Sequence, residues 1–386
     1  MYRRRLLAVA AGGVLGPAGG CVAVPSSADE PRGASLLRDA IDTRTELTTL
    51  AGRRVLTAET PEDTSQRVER IVRRPPGNRR TEILESADPH LPTGFVSVTN
   101  REVTWEYDPA EELVVERHHP NRVVTDGPRV ALEALLEEYT FTHEGVETVA
   151  GRETHRMDAE PIADDLERSI ELLVGETVYR IPLERTEAAA LESATVTRSV
   201  WIDDEYRYPI RERDVLRDGD GELLHRLTAT YEDLAIDPDL EEGTFVYEPP
   251  EDATVERLGT EPTGVYAARA DAAAVVSYDL PDPAVPDPYV LDRITVVDRT
   301  PDFGVRTTFW YHDPDRPERE LFVAVRDERR YDPDALEAID LDGHTAYRRD
   351  GGIDSVFWSC EGLHYEVSSS TVAEPVRELA TSIGCP

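Results

Sequence analysis

The chain has 386 residues and carries 78 acidic side chains against 42 basic ones, a formal net charge of −36. Every base is arginine, which excludes chemistry that needs a lysine amine, such as a Schiff base or a P-loop phosphate clamp. So negative a surface also argues against a nucleic-acid partner, because phosphate contacts need clustered positive charge. The acid is dispersed along the chain, and salt relieves the resulting self-repulsion by shortening the Debye length. A dispersed acidic surface without lysine fits a haloarchaeal protein living in concentrated salt. A GC-rich genome would explain the missing lysine but less of the charge.

Residues 1–20 read as a signal peptide: Arg3, Arg4 and Arg5 precede an apolar stretch, Leu6 to Ala18, that is too short for a comfortable membrane span. The order Arg3-Arg4-Arg5-Leu6-Leu7 resembles a twin-arginine export signal. Ala18-Gly19-Gly20-Cys21 resembles a lipobox, although leucine is commoner at the Ala18 position. Small residues there let a peptidase reach the backbone, after which the Cys21 thiol takes a lipid. Residues 21–34, rich in Pro, Ser and Ala, read as a tether. The expected location is the cell surface, with a lipid anchor in the outer face of the cytoplasmic membrane. With Cys21 lipidated, Cys360 and Cys385 remain as an even pair in an oxidising compartment, expected to be bridged rather than two free thiols.

Leu36, Leu37, Ala40, Ile41, Leu47 and Leu50 recur near helical spacing and predict an opening amphipathic helix. Short alternating segments follow. Val103, Trp105 and Tyr107 share one face of a strand, Asp108-Pro109 turns the chain, and Leu113 to Val115 begins the return. Residues 128–138 and 161–174 read as helices, each opened near a proline. Val196, Val200 and Ile202 alternate again, as do Leu227, Ala229 and Tyr231. Strands at this spacing predict one large antiparallel sheet with a few helices covering its apolar face. Pro249-Pro250, within residues 248–262, marks a domain boundary, so residues 35–255 and 262–386 are expected to be separate domains. The second is α+β: strands at Val305–Tyr311, Leu321–Val325, Val356–Cys360 and Leu363–Val367, then a helix opened near Thr371 with Glu374 as in a capping box.

Motifs that carry chemistry are missing from this pattern. There is no nucleophile-elbow serine, no His-Glu-x-x-His and no Cys-x-x-Cys. His118-His119 are strand neighbours that point to opposite faces, a poor chelate, and read as solvated turn residues. Asp218-Gly219-Asp220-Gly221 lacks the downstream spacing of an EF-hand and reads as a hairpin turn, and the Asp-Pro-Asp triplets at 237–239, 313–315 and 332–334 read as turn formers. The chain is therefore expected not to be an enzyme and to need no cofactor or metal.

Five passages in order carry a resemblance. The run Val68 to Arg74 followed by Pro75-Pro76-Gly77-Asn78-Arg79-Arg80, then Ser97-Val98-Thr99-Asn100 with Trp105-Glu106-Tyr107-Asp108-Pro109, is similar to the early strands of the LolA-like lipoprotein-carrier families. So are Val149-Ala150-Gly151-Arg152-Glu153-Thr154, the pair Val200-Trp201-Ile202-Asp203 and Tyr208-Pro209-Ile210, and Phe245-Val246-Tyr247-Glu248-Pro249-Pro250. Together they span residues 35–255. Residues 262–386 resemble a small domain of unknown function that accompanies such proteins, marked by Gly343-His344-Thr345-Ala346, Phe357-Trp358, Gly362-Leu363-His364-Tyr365 and Ala380-Thr381-Ser382-Ile383. The pairing also resembles the RseB class of envelope stress sensors.

The resemblance implies a mainly β fold with some α: a half-open antiparallel β-barrel with covering helices and an apolar cavity, plus a smaller α+β C-terminal domain. Phe95, Trp105, Tyr107, Val200 and Ile202 are the candidate wall residues, with ordinary core as the alternative for each. The expected role is that of a membrane-anchored lipoprotein binding a lipid, a lipidated protein or another apolar ligand. The alternative is an envelope stress sensor that docks a partner protein through residues 262–386. One departure matters: the family's best-known carriers are soluble, whereas this chain carries an anchor signal.

Overall fold

The computed structural model describes residues 32–44, 47–75, 77–122, 127–162, 169–174, 177–182, 194–349, 353–369 and 376–385. The signal peptide, Cys21 and the Thr371–Glu374 capping box lie outside the described residues, as does most of the tether. Helix α1 (Arg32–Arg44) opens the fold. Six strands follow: β1 (Leu50–Glu59), β2 (Thr64–Arg74), β3 (Asn78–Ser86), β4 (Val96–Thr99), β5 (Val103–Asp108) and β6 (Leu113–His118). Helix α2 (Gly127–Glu138) leads to β7 (Tyr139–Val149), β8 (Arg152–Pro161), β9 (Ser169–Val174) and β10 (Thr177–Pro182). Then come β11 (Thr195–Asp203), β12 (Pro209–Arg217), β13 (Leu223–Ile236) and β14 (Thr254–Gly259).

Twelve of these strands form one open sheet in the order β14-β6-β5-β4-β3-β2-β1-β13-β12-β11-β8-β7, while β9 and β10 form a separate two-stranded sheet among the described residues. All neighbours in the large sheet are antiparallel except β14, which lies parallel to β6. A second sheet begins at β15 (Gly264–Tyr266), which is followed by the short helix α3 (Arg269–Ala273). Its other strands are β16 (Val290–Asp298), β17 (Val305–Asp313), β18 (Arg316–Arg326), β19 (Glu337–Leu341), β20 (His344–Arg349), β21 (Asp354–Cys360) and β22 (Leu363–Ser369). Eight strands run in the order β15-β16-β17-β18-β22-β21-β20-β19, and helix α4 (Val376–Ile383) packs on β19, β21 and β22. The molecule is thus mainly β, with large antiparallel sheets that do not close into a barrel and few helices.

Turn chemistry fixes the register of the hairpins. Ala150-Gly151, Asp342-Gly343 and Glu361-Gly362 each take the left-handed conformation at both central positions, the twist that matches flanking strands in a two-residue hairpin. Asp218 Oδ1 accepts from the amides of Asp220 and Glu222, so the acidic glycine loop closes β12 onto β13 as a turn. Two of the Asp-Pro-Asp triplets behave alike: Asp313 Oδ1 accepts from the Asp315 amide and Asp332 Oδ1 from the Asp334 amide. Asp237, expected to form a turn in the same way, instead accepts from the distant Thr48 and Thr49 amides and ties the end of β13 to the start of β1.

Several expectations need correction. Helix α1 stops at Arg44; Leu50 does not continue it but opens β1, where it pairs with Arg73 and Ile236. Residues 32–34, expected in the tether, already belong to α1, and Gly33 is buried against Phe141. Within the predicted helix 161–174, Ser169–Val174 is a strand paired with Thr177–Pro182. The β-branched Thr177, Val178 and Ile181 favour that hairpin over a helix. His118 is not a solvated turn residue. It ends β6, and its Nε2 lies 2.6 Å from Glu116 Oε1.

The second sheet builds its core on one face, from Ile294, Phe309, Val323, Val356, Trp358 and Val367, closed by Leu379 and Ala380 of α4. Trp358 stacks on Tyr365 at 5.1 Å and donates its indole N–H to the Gly384 carbonyl at 2.7 Å. Cys360 and Cys385 are disulfide-bonded, which ties the end of α4 to β21. The bond closes a loop of 25 residues, so the double replacement Cys360→Ser/Cys385→Ser is expected to cost roughly 3–4 kcal/mol. Denaturant unfolding of the two forms checks this; equal midpoints would show that α4 is held by packing alone.

Candidate functional site

Strand register sorts the side chains of the 12-stranded sheet onto two faces. From Val200↔Met157 in β11 and β8, same-side partners run through Glu212 and Ala229 to Leu56 of β1. This is the face that α1 and α2 cover. Leu36, Leu37 and Ala40 of α1, with Leu132 and Leu135 of α2, meet Phe141, Met157, Ala159, Val200 and Ile202 in one apolar seam. Val200, Ile202 and Met157 are fully buried there. The helices form because their apolar residues recur at three and four positions, and they dock because that stripe has an apolar strand patch to meet. Gly33 permits the closest approach: a Cβ built on it would lie 2.9 Å from Phe141 Cβ.

Away from the helices the same face carries charge. Arg54 and Glu69 are cross-strand partners, both buried, with Arg54 Nε donating to Glu69 Oε2 at 3.1 Å. Arg67 Nε donates to the other carboxylate oxygen at 2.7 Å. Burial holds the Arg54 guanidinium below its ordinary range despite Glu69. Arg79 is lowered to about 10 by burial first and then by the like charges of Arg73 and Arg54. On β11 and β12, Arg198 makes a bidentate pair with Asp214 at 2.7 and 2.8 Å. Burial opposes the Arg198 charge, yet Asp214 raises its pKa above the usual range. The covered face is therefore amphiphilic: an apolar seam beneath the helices beside rows of buried ion pairs.

The five candidate wall residues do not share one wall. Val200 and Ile202 stand in the seam. Trp105 and Tyr107 pair with Val98 and Val96, whose partners Arg80 and Glu82 lead through Val72 to Ala51, on the opposite face of the sheet. That opposite face is crossed by the segment after β13: Tyr247 stacks on Tyr107 at 6.0 Å, Arg80 donates to the Thr244 carbonyl, and Asn100 donates to the Phe245 carbonyl. Phe95 lies beside β3, its carbonyl accepting from the Ile83 amide at 2.9 Å. Trp105 and Tyr107 are thus half-buried packing residues on the far side from the seam.

Phe141, Met157, Leu132 and Leu135 complete the seam and were not among the sequence candidates. Also missed is a chain of polar contacts at its end. His143 Nε2 lies 3.2 Å from His155 Nδ1, and His155 Nε2 lies 2.7 Å from Asp204 Oδ1, which also accepts from Arg207. The His155 hydrogen bond, and then Arg207, hold the Asp204 carboxyl below the usual carboxylate range. The bulge between His143 and Gly145 brings the two imidazoles together, and the sequence spacing gives no sign of it. Among the described residues no cluster of three or more His, Cys, Asp or Glu side chains could hold a metal ion.

No family model matches the chain, and no curated protein matches it in sequence. Among solved structures, the chain is similar to the Pseudomonas aeruginosa MucA/MucB complex, with 11% identity and a TM-score of 0.30 over 91% of this chain and 98% of that one. It is similar to a LolA superfamily protein from Nitrosomonas europaea, with 12% identity and a TM-score of 0.26 over 56% of this chain and 98% of that one. It is also similar to the Mycobacterium tuberculosis lipoprotein LppX, with 11% identity and a TM-score of 0.30 over 54% of this chain and 96% of that one. At such low scores and identities, function is read from this chain's own side chains.

Proposed function

We propose that the chain is a non-enzymatic binding protein of the cell envelope that receives an acyl chain or another apolar ligand between helices α1 and α2 and the sheet. The observation that carries this reading is the apolar seam around Met157, Val200 and Ile202. Two helices of 13 and 12 residues cover it, on a sheet that does not close on itself. Such helices are marginal alone and owe their position to the seam, so a ligand of like apolarity can replace the helix contacts with little net loss of buried area. The ion pairs beside the seam then mark its polar end, where a headgroup would lie. Anchoring through Cys21, an outward-facing location and work in concentrated salt are parts of the same reading, supported by the N-terminal sequence and the dispersed acidic composition.

The test is a titration of the full chain with a fluorescent fatty-acyl probe, for the parent and for two variants. Met157→Arg places a charge in the seam and is expected to weaken binding by at least about tenfold, since an unpaired buried charge costs more than 1.4 kcal/mol. Gly33→Val should push α1 away from Phe141 and raise probe affinity, because less helix contact must be given up. No saturable binding by the folded parent would sink the proposal, as would equal binding in all three proteins.

A further inference from the structure

We infer that the second sheet holds an oxyanion-binding cleft for a small organic phosphate or carboxylate bearing an apolar group, built by Arg326, Arg330 and Arg349 around Tyr331 and Phe357. A cleft of about 340 Å³ opens between the loop before β19 and the face of β18, β20, β21 and β22 away from α4. That is the lower end of the size range of small-molecule sites.

Its charge runs against that of the chain. In a protein of net charge −36, the described lining holds three guanidinium groups against two carboxylates, Asp332 and Glu366. Asp332 is turned to its own backbone, where it accepts from the Asp334 amide. Glu366 is shared: Arg326 pairs with it closely, and Arg306 Nη2 lies 3.7 Å away. One carboxylate thus serves two largely buried cations, and burial lowers Arg306 to about 10 in spite of it. The described partners of the other two guanidiniums are neutral. Arg349 donates to Ser355 Oγ at 3.0 Å and lies over the Phe357 ring, and Arg330 lies over the Phe303 ring at 4.2 Å. A planar guanidinium fork matches the paired oxygens of phosphate and carboxylate.

The apolar half of the cleft is set in place before any ligand arrives. The Tyr331 and Phe357 rings are tilted against each other at 5.3 Å, and the Tyr331 hydroxyl is 2.7 Å from Ser359 Oγ. Together the rings and cations select an anion attached to an apolar body over a bare ion.

The experiment is calorimetric titration of the full chain with phenyl phosphate, inorganic phosphate and phenol. Phenyl phosphate is expected to bind saturably, more tightly than inorganic phosphate, with phenol silent. Arg330 and Arg349 are both exposed, so Arg330→Gln and Arg349→Gln leave the core intact. Each should weaken phenyl phosphate binding by at least about tenfold, the loss expected for one charge-assisted hydrogen bond. Sedimentation with vesicles separates the two sources of such an oxyanion. Retention on phosphatidylglycerol but not phosphatidylcholine vesicles, reversed by phenyl phosphate, assigns the oxyanion to a lipid headgroup. Binding of free phenyl phosphate without retention assigns it to a soluble compound. No saturable binding of either phosphate by a chain with parental circular dichroism overturns the inference, and so does binding that neither substitution weakens.

Discussion

Glu69→Ala is expected to lower stability by about 3–5 kcal/mol, the cost of leaving a buried cation without its partner. Glu69 accepts from Arg54 through one oxygen and from Arg67 through the other, within a strand patch that also holds Arg73 and Arg79. Removing the carboxylate leaves the fully buried Arg54 beside like charges that burial already opposes. The double replacement Arg54→Met/Glu69→Leu should recover most of the loss, because it removes the charges together and fills the space with apolar atoms. Denaturant unfolding of the three variants measures both effects. A single variant within about 1 kcal/mol of the parent would mean that water reaches the pair.

The second large effect is expected where the two sheets meet. Arg101, in the turn between β4 and β5, pairs closely with Glu320 of β18 and lies 3.7 Å from Asp292 of β16. Arg293 of β16 lies 3.8 Å from Glu102, and both guanidiniums lie over the Trp310 ring, at 5.9 and 5.0 Å. Asn121 accepts from Thr295 Oγ1 at the same place. The Glu320 side chain is fully buried, and burial lowers Arg101 to about 10. Glu320→Gln removes the fully buried negative charge beside Arg101, while Asp292 still faces both Arg101 and Arg293. Since about a quarter of the Arg101 side chain still meets solvent, the loss should fall near the lower end, about 3 kcal/mol. Loosening of the sheets should also speed proteolysis of residues 260–263, the surface segment between β14 and β15. An unchanged cleavage pattern together with an unchanged unfolding midpoint would show that the sheets are held by other contacts.

Strand and turn signals carried most of the fold into view. Val103-Trp105-Tyr107 and Leu227-Ala229-Tyr231 alternate as half-buried strands do, and Glu361-Gly362 announces its hairpin. The failures have physical causes. Ser169–Val174 is too short for its period to separate helix from strand. Trp105, Tyr107, Val200 and Ile202 look alike in the sequence because all are apolar residues of alternating strands. Which face each takes is decided by register carried across six intervening strands, together with the cover that Tyr247 provides. Nothing in composition or spacing sets Arg54, Glu69, Arg198 and Asp214 apart from the many exposed charges of the chain. They are buried because each meets its counter-charge on a neighbouring strand, a pairing that only the register reveals.

The most direct test of the binding proposal maps where an acyl chain sits. The full chain is irradiated with a diazirine-bearing fatty acid, and the labelled peptides are identified by mass spectrometry. Labels in the peptides holding Leu36–Ile41, Leu132–Leu136 and Val200–Ile202, competed by unlabelled fatty acid, are the predicted result. Labelling confined to the peptide of Trp105 and Tyr107, or none that competes, would contradict the account.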